Sequence, residues 1–343
     1  MDWLSFYKGK RVFITGHTGF KGSWMCKVLD FLGAEVAGYA LEAPTTPNLF
    51  GILGLEKSMR SIIGDIRDLD NLSGAVNDFR PEVVLHMAAQ PLVRESYKNP
   101  VGTYSTNVMG TVNILEAVRN CDSVKNFINI TTDKVYLNNE WEWGYRETDI
   151  LDGYDPYSNS KSCSELVTGA YNRSFFKSRD ISVATARAGN VIGGGDFADN
   201  RIIPDCVRSA QAKTSILIRS PNSIRPYQHV LEPMCAYLML AANKANGAYN
   251  IGPEYCDCIP TGELVELFVK YWGGGASWEN ISEANAPHEA GFLRLDSSKI
   301  AQAFGWKSKW NISTAVEKTV EWHKSDSPLL CIENQIKEYI NER

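Results

Sequence analysis

Apolar positions along the first half of the chain recur in two alternating rhythms. Short unbroken runs at Arg11–Thr15, Glu35–Ala40, Met59–Ile63, Val83–Met87, Phe127–Thr131 and Ser182–Ala188 predict strands covered on both faces. Between them, helical spacing predicts helices over Phe20–Leu32, Leu69–Phe79, Asn99 to about Asn120, and Tyr157–Phe176. The punctuation agrees. Gly33 can end the first helix at C′, and Asn99-Pro100 supplies a capping side chain followed by proline at N1. Strands alternating with helices define an α/β protein with a doubly wound parallel sheet of the Rossmann type. After Gly189 the pattern loosens around Gly193-Gly194-Gly195 and several prolines, with helices expected at about Pro204–Lys213, Gly262–Tyr271 and Ser313–Ser325. Residues 1–188 are therefore expected to form mainly a dinucleotide-binding domain. Residues 189–343 are expected to form mainly a smaller α/β substrate-binding lobe, with some chain crossing back.

Composition narrows this without changing it. The 343 residues, 44% of them hydrophobic, suffice for one large domain or two intimate ones. A net charge of -5, with 35 basic residues scattered among 40 acidic ones, leaves no polybasic run for nucleic acid or a membrane surface. The N-terminal stretch lacks a secretory pattern, because Lys8–Arg11 brings charge directly after Trp3, Leu4, Phe6 and Tyr7. Apolar runs fall short of membrane-spanning length. The eight cysteines are spread thinly. Cys256 and Cys258 lie close together without a His or Cys cluster, so no metal site is expected and all eight read as reduced thiols of a cytoplasmic protein.

Gly16-His17-Thr18-Gly19-Phe20-Lys21-Gly22 directly follows the first strand and opens the first helix. In this G-x-x-G-x-x-G turn, Gly16 permits the bend. Gly19 lets a pyrophosphate approach the helix N-terminus, where free N–H groups and the helix dipole favour an anion, and Gly22 lets helix and strand pack closely. The acid expected on the ribose at the end of the second strand is missing: Ala40 stands there, with Glu42 two residues on. Nothing basic is nearby to receive a 2′-phosphate, which favours NAD over NADP. Asp65, after the third strand, suits either an adenine contact or a turn cap.

Tyr157 and Lys161 stand four apart, on one face of a helix. An ammonium beside a phenol favours phenolate, giving a proton acceptor for an alcohol undergoing oxidation. Thr132, at the end of the Phe127–Thr131 strand, can bind the same oxygen. Asp133 and Lys134 follow at once. A plain dehydrogenase needs neither, whereas an enzyme that eliminates water needs an acid for the departing hydroxyl and a base for a proton acidified by an adjacent ketone. An exposed strand-end charge pair is the alternative.

Taken together, GHTGFKGSW (16–24), GDIRD (64–68), HMAAQPLVR (86–94), TYSTNVMGTV (103–112), TTDKVY (131–136), EWEWGYRE (140–147), GYDPYSNSK (153–161), RAGNVIGGGDF (187–197), RPYQHVLEP (225–233) and PHEA (287–290) resemble the CDP-glucose 4,6-dehydratase family. This is a branch of the extended short-chain dehydrogenase/reductase superfamily, and the likeness runs from about Gly9 to about Trp322. It implies a hydro-lyase using NAD, in which C4 of the sugar is oxidised, water is lost across C5 and C6, and hydride returns to C6. It implies Thr132, Asp133, Lys134, Tyr157 and Lys161 as catalytic residues, with Asp133 the general acid and the C5 base unassigned. Cofactor contacts are implied for Gly16, Thr18, Gly19, Phe20, Gly22, Asp65, Ile66, Ala88, Ala89, Asn107, Tyr157 and Lys161. Substrate contacts are implied for Gln90, Asn190, Arg201, Arg219, Arg225 and His288. The chain departs from the family pattern at Val135 (Cys expected), Ser162 (Gly), Phe197 and Tyr227 (Trp). The superfamily also implies a homodimer that pairs the helices at about Pro100–Asn120 and Tyr157–Phe176, and the family's place in polysaccharide biosynthesis. Two rival functions keep the same turn and Tyr157/Lys161 pair: a nucleotide-sugar epimerase or net reductase, which does not need Asp133 as an acid, and a non-catalytic dinucleotide sensor.

Overall fold

The computed structural model describes residues 3–282 and 291–342. Seven parallel strands form the central sheet: β1 (Arg11–Thr15), β2 (Glu35–Ala40), β3 (Arg60–Ile63), β4 (Val83–His86), β5 (Asn126–Ile130), β6 (Ser182–Ala188) and β7 (Gly247–Ile251). Their spatial order is β7-β6-β5-β4-β1-β2-β3, so the winding reverses between β1 and β4. β1 is in register with both neighbours, Thr15 lying beside Tyr39 of β2 and His86 of β4. The turns after Thr15, Ile130 and Ala188 consequently open on one edge of the sheet, where ligands of doubly wound folds bind.

Helices cover both faces, leaving an apolar core on each side. The run expected from Asn99 to Asn120 is one helical stretch with a π-helical turn at Ser105–Met109 between Pro100–Tyr104 and Gly110–Arg119. The helix expected at Tyr157–Phe176 is α-helical over Pro156–Tyr171 and continues as a π turn to Phe176. The later helices fall at Ile202–Gln211, Thr261–Trp272 and Ile312–Lys324. Two further ones, Leu231–Ala242 and Pro328–Asn341, carry no signal in the sequence reading. The first has every residue except Met239 buried, so it lacks the polar stripe that marks an amphipathic helix. With β7, it brings chain from beyond residue 188 back onto the large sheet. No helix among the described residues is long and apolar enough to cross a membrane.

Glu232, in the first turn of that buried helix, joins it to the C-terminal segment. Its carboxylate accepts from the backbone N–H groups of Lys309 (3.0 Å) and Trp310 (2.7 Å) and from the Tyr339 hydroxyl (2.6 Å). Burial pushes its pKa up from 4.5 to about 7, against these donors. The folded state thus holds the proton more tightly than the unfolded chain. This contribution to stability is present below about pH 4.5 and is lost as the pH rises through about 7. Glu232→Gln is expected to gain stability relative to wild type across that window, by about 3 kcal/mol in total at 1.36 kcal/mol per pKa unit. Paired denaturant melts at pH 4.5 and pH 8 test it, and a pH-independent difference between the two proteins contradicts it.

Candidate active site

The phosphate-binding turn is set by close approach. Gly16 has φ +83°, and a Cβ there would lie 2.9 Å from the Ala88 backbone. A Cβ on Gly22 would come within 2.1 Å of the Gly16 carbonyl oxygen. At Gly19 a Cβ meets only that same oxygen, at 3.5 Å, so the space before the turn is open to a ligand. Gly19 is the N-cap of the helix Phe20–Phe31 and offers no side chain to its free N–H groups. Such a cradle of amides fits a pyrophosphate. Thr18 is buried and donates to the Leu41 carbonyl (2.8 Å), fixing the turn against the end of β2. Thr15 Oγ1 accepts from the N–H groups of Met87 and Ala88 (3.1 Å each), which positions the Ala88-Ala89 turn alongside. Gly22→Ala is expected to displace the turn, costing about 1–3 kcal/mol in stability as an overpacked site and weakening dinucleotide binding. Thermal denaturation and an NAD titration would show it, and unchanged affinity contradicts this geometry.

The remaining expected cofactor residues divide. Asp65 receives the Arg67 backbone N–H and guanidinium (both 2.9 Å), which holds its carboxyl below the usual range and gives it the turn-capping role. Ile66 is buried against Gly110. Asn107 sits in the π turn, fully inward. Its Oδ1 accepts from Gln90 N–H (2.8 Å), and its Nδ2 donates to the Gln90 carbonyl (3.1 Å) and Ser160 Oγ (2.9 Å). Gln90 spends its own amide on Leu92 and Thr103, bracing its loop from within the protein.

The residues expected to be catalytic meet where β5 ends. Asp155 caps the helix Pro156–Tyr171, accepting from Ser158 N–H (3.0 Å) and Ser158 Oγ (2.6 Å), with Pro156 at N1. Tyr157 therefore sits in the first turn, and Lys161 one turn on, both buried. The Lys161 amine donates to the Ile130 carbonyl (2.9 Å). Thr132 Oγ1 donates to Asp133 Oδ1 (2.9 Å), and Lys134 Nζ bridges Asp133 Oδ1 and Asn190 Oδ1 (3.3 Å each). Asp133 is fully buried, and its Oδ2 has no hydrogen-bond partner. An exposed strand-end pair is thereby excluded: the acid lies inside the group.

Electrostatics correct one expectation. Tyr157 is not brought down by Lys161. Burial pushes the phenol up to about 12, with Asp133 and Asp155 adding to the rise; the Thr132 hydroxyl and Arg201 pull the other way. Lys161 itself is brought down to about 7 by burial and by Lys21, against Glu165. Lys21 was passed over in the sequence, being one of the variable positions of the glycine turn. Burial and the charges of Arg201 and Lys134 bring it down to about 8, while Asp133 and Asp196 act to raise it. A charged residue between the second and third glycines was the available signal. Arg201, paired to Asp196 (2.9 Å), comes from the C-terminal half near enough for its charge to pull down both Lys21 and Tyr157. Arg225 is buried in the segment that runs beside Gly189 and Asn190, Arg219 is exposed beyond the strand Ile216–Ile218, and His288 lies outside the described residues.

A buried polar network holds this group from behind. Glu165 receives Arg187 through two contacts of 3.0 Å, together with the hydroxyls of Thr131 (2.5 Å) and Thr185 (2.6 Å). Arg187 also donates to Tyr136 (2.8 Å). Among the departures from the family pattern, Ser162 has work of its own. It donates to the Val135 carbonyl (2.7 Å) and accepts from Gly153 N–H (3.1 Å), tying both ends of the loop 136–155 to the helix. Val135 is wholly buried, Phe197 packs on Trp322, and Tyr227 reaches Thr261.

A doubly wound sheet, a glycine cradle and a Thr/Tyr/Lys set at the switch edge define an extended short-chain dehydrogenase/reductase. Residues 13–319 match the family described as GDP-mannose 4,6 dehydratase. The chain is 48% identical to CDP-glucose 4,6-dehydratase of Salmonella typhimurium, covering 98% of both chains, and belongs to the CDP-glucose 4,6-dehydratase family. It is also 26% identical to CDP-paratose 2-epimerase of Salmonella typhi, over 92% of this chain and 99% of that one. Among solved structures, dTDP-glucose 4,6-dehydratase of Bacillus anthracis, in complex with NAD, superposes with a TM-score of 0.78 at 21% identity. That match covers 93% of this chain and 97% of the other, and bears on the fold.

Proposed function

We propose that this protein is a cytoplasmic, NAD-dependent CDP-glucose 4,6-dehydratase that releases CDP-4-keto-6-deoxyglucose. The observation that carries the reading is a buried carboxyl, Asp133, set beside the Thr132/Tyr157 pair. Oxidation alone leaves that acid without a task. The cradle at Gly16, Gly19 and Gly22 suits NAD, which when bound supplies the acceptor for the C4 hydride and later returns it to C6. Tyr157, with Thr132 beside it, takes the proton of the C4 hydroxyl. The resulting ketone acidifies the C5 hydrogen, and Asp133 protonates the C6 hydroxyl as it leaves. Lys134, hydrogen-bonded to Asp133 and Asn190, orients the first for the sugar and the second for the diphosphate. Asn190, Arg201 and Arg225, from the lobe of residues 189–343, are the polar contacts for the nucleotide diphosphate, whose oxygens match a guanidinium fork. The 48% identity to a CDP-glucose enzyme supports cytosine over other bases. The eight free cysteines support a reducing compartment.

The test is a product assay with CDP-, dTDP-, UDP- and GDP-glucose in heavy water. Water loss from CDP-glucose, with one deuterium at C5 and no net redox change, is the expected result. A retained C6 hydroxyl with an inverted stereocentre, or stoichiometric cofactor turnover, replaces the reading with an epimerase or reductase. Binding of NAD without turnover of any of the four replaces it with a dinucleotide sensor.

A homodimer is part of the same proposal. Val101 (80% exposed), Met109 (51%) and Leu166 (60%) leave apolar side chains uncovered on the helical stretches Pro100–Arg119 and Pro156–Tyr171, which pack side by side. Light scattering is expected to give twice the chain mass, with Leu166→Arg shifting it to one. A monomeric wild type sinks the dimer.

A further inference from the structure

The buried helix Leu231–Ala242 runs beneath the end of β5, and Tyr237 shares a core with Ile130, two residues before the catalytic Thr132. Tyr237 is wholly buried, and its hydroxyl has no hydrogen-bond partner. A hydroxyl enclosed in this way costs about 1–3 kcal/mol unless it is satisfied. Asp133 is also wholly buried. Its Oδ1 faces Thr132 and Lys134, while Oδ2 accepts nothing. The helix packs against β5, near enough for the charge of Asp133 to act on the Tyr237 phenol, so an unspent donor and an unspent acceptor lie in the same neighbourhood. Burial, reinforced by the charges that Tyr157 and Asp133 can carry, holds the Tyr237 phenol above its ordinary range. Its O–H remains a donor wherever the enzyme works.

We propose that Tyr237 is a positioning residue for Asp133, its hydroxyl donating to Oδ2 through a single bridging water. The consequence follows from carboxyl chemistry. A donor on Oδ2 keeps the carboxyl from turning, so that the acid's proton is presented on the side of Thr132 and partly exposed Lys134. From there it passes to the departing C6 hydroxyl as the C6–O bond breaks, leaving water and the Asp133 carboxylate. Without that donor the carboxyl can turn and carry its proton away from the sugar. This inference rests on Asp133 being the general acid of the dehydration.

Tyr237→Phe removes one oxygen and keeps the packing, so the variant is expected to fold, with a melting temperature at or slightly below that of wild type because Asp133 Oδ2 loses its donor. The wild type is assayed first with CDP-glucose. If it does not dehydrate this substrate, the functional reading fails there, and the inference with it. In the variant, water loss is expected to fall roughly 10- to 100-fold, the effect of a misplaced reacting group, while C4 oxidation keeps its rate. Quenching with borodeuteride should then trap a 4-keto sugar that still carries its C6 hydroxyl. Adding Tyr237→Phe to Asp133→Asn should cost nothing further. Unchanged kinetics, equal slowing of oxidation and elimination, or an additive loss in the double variant each overturns the inference.

Discussion

Tyr157→Phe is expected to cut C4 oxidation of CDP-glucose by roughly 10²- to 10⁴-fold, the range for removing a positioned acid–base group, while substrate still binds. The expectation follows from how the phenol is held. It sits in the first turn of a helix whose start is fixed by the Asp155 cap and Pro156, with the Thr132 hydroxyl beside it. Burial pushes the phenol up to about 12, so phenolate forms only with help, and the opposing pulls come from Thr132 and Arg201. Removing the oxygen leaves the C4 hydroxyl with no comparable acceptor. Asp133 Oδ1 is already held by Thr132 and Lys134, Oδ2 is buried, and the Lys161 amine is turned to the Ile130 carbonyl. Pre-steady-state oxidation monitored by product quench, together with substrate titration, separates rate from binding. A variant that oxidises within tenfold of wild type removes Tyr157 from the role of proton acceptor.

The parts of the fold that could be read in the sequence are those whose physics is local. β4 and β5 are buried on both faces, so VVLH and NFINI stand out as apolar runs. The glycine turn and the Tyr157/Lys161 spacing likewise lie within a few residues of themselves. The helix Leu231–Ala242 was invisible for the opposite reason. Enclosed on all sides, it has no polar stripe, and so Tyr237 gave no sign that it lies beneath the active site. β7, five residues beginning at a glycine, is too short to declare itself until β6 pairs with it. Lys21 and Arg201 acquire their meaning only when β1 and the segment after β6 reach the same edge of the sheet. Spacing places Lys161 on one helix face with Tyr157 but carries no information on depth, and burial is the largest influence on the phenol. The resemblance implies Gln90 as a substrate contact from its place in HMAAQPLVR; its amide engages Leu92 in its own loop and Thr103 in the helix Pro100–Tyr104.

Asp133→Asn is expected to divide the reaction in two. Oxidation at C4 depends on Tyr157 and Thr132 and should persist, whereas loss of water should fall by roughly 10²- to 10⁴-fold once the leaving hydroxyl has no acid. The amide is close to the carboxyl in size, so the buried site keeps its shape. One amide group still serves Thr132 and Lys134 by presenting its oxygen where Oδ1 now lies. The 4-keto sugar with an intact C6 hydroxyl should accumulate, and borodeuteride should convert it to CDP-glucose and its C4 epimer carrying deuterium at C4. In heavy water the recovered sugar also reports whether C5–H is exchanged before water leaves, which separates the base from the acid. Lys134→Met provides the complementary case. If Lys134 only orients Asp133 and Asn190, exchange at C5 survives in it; if its amine takes the C5 proton, exchange stops there and continues in Asp133→Asn. An Asp133→Asn enzyme that still expels water within tenfold of wild type excludes Asp133 as the acid. That outcome returns the site to the chemistry it shares with an epimerase, for which the hydroxyls of Thr132 and Tyr157 suffice.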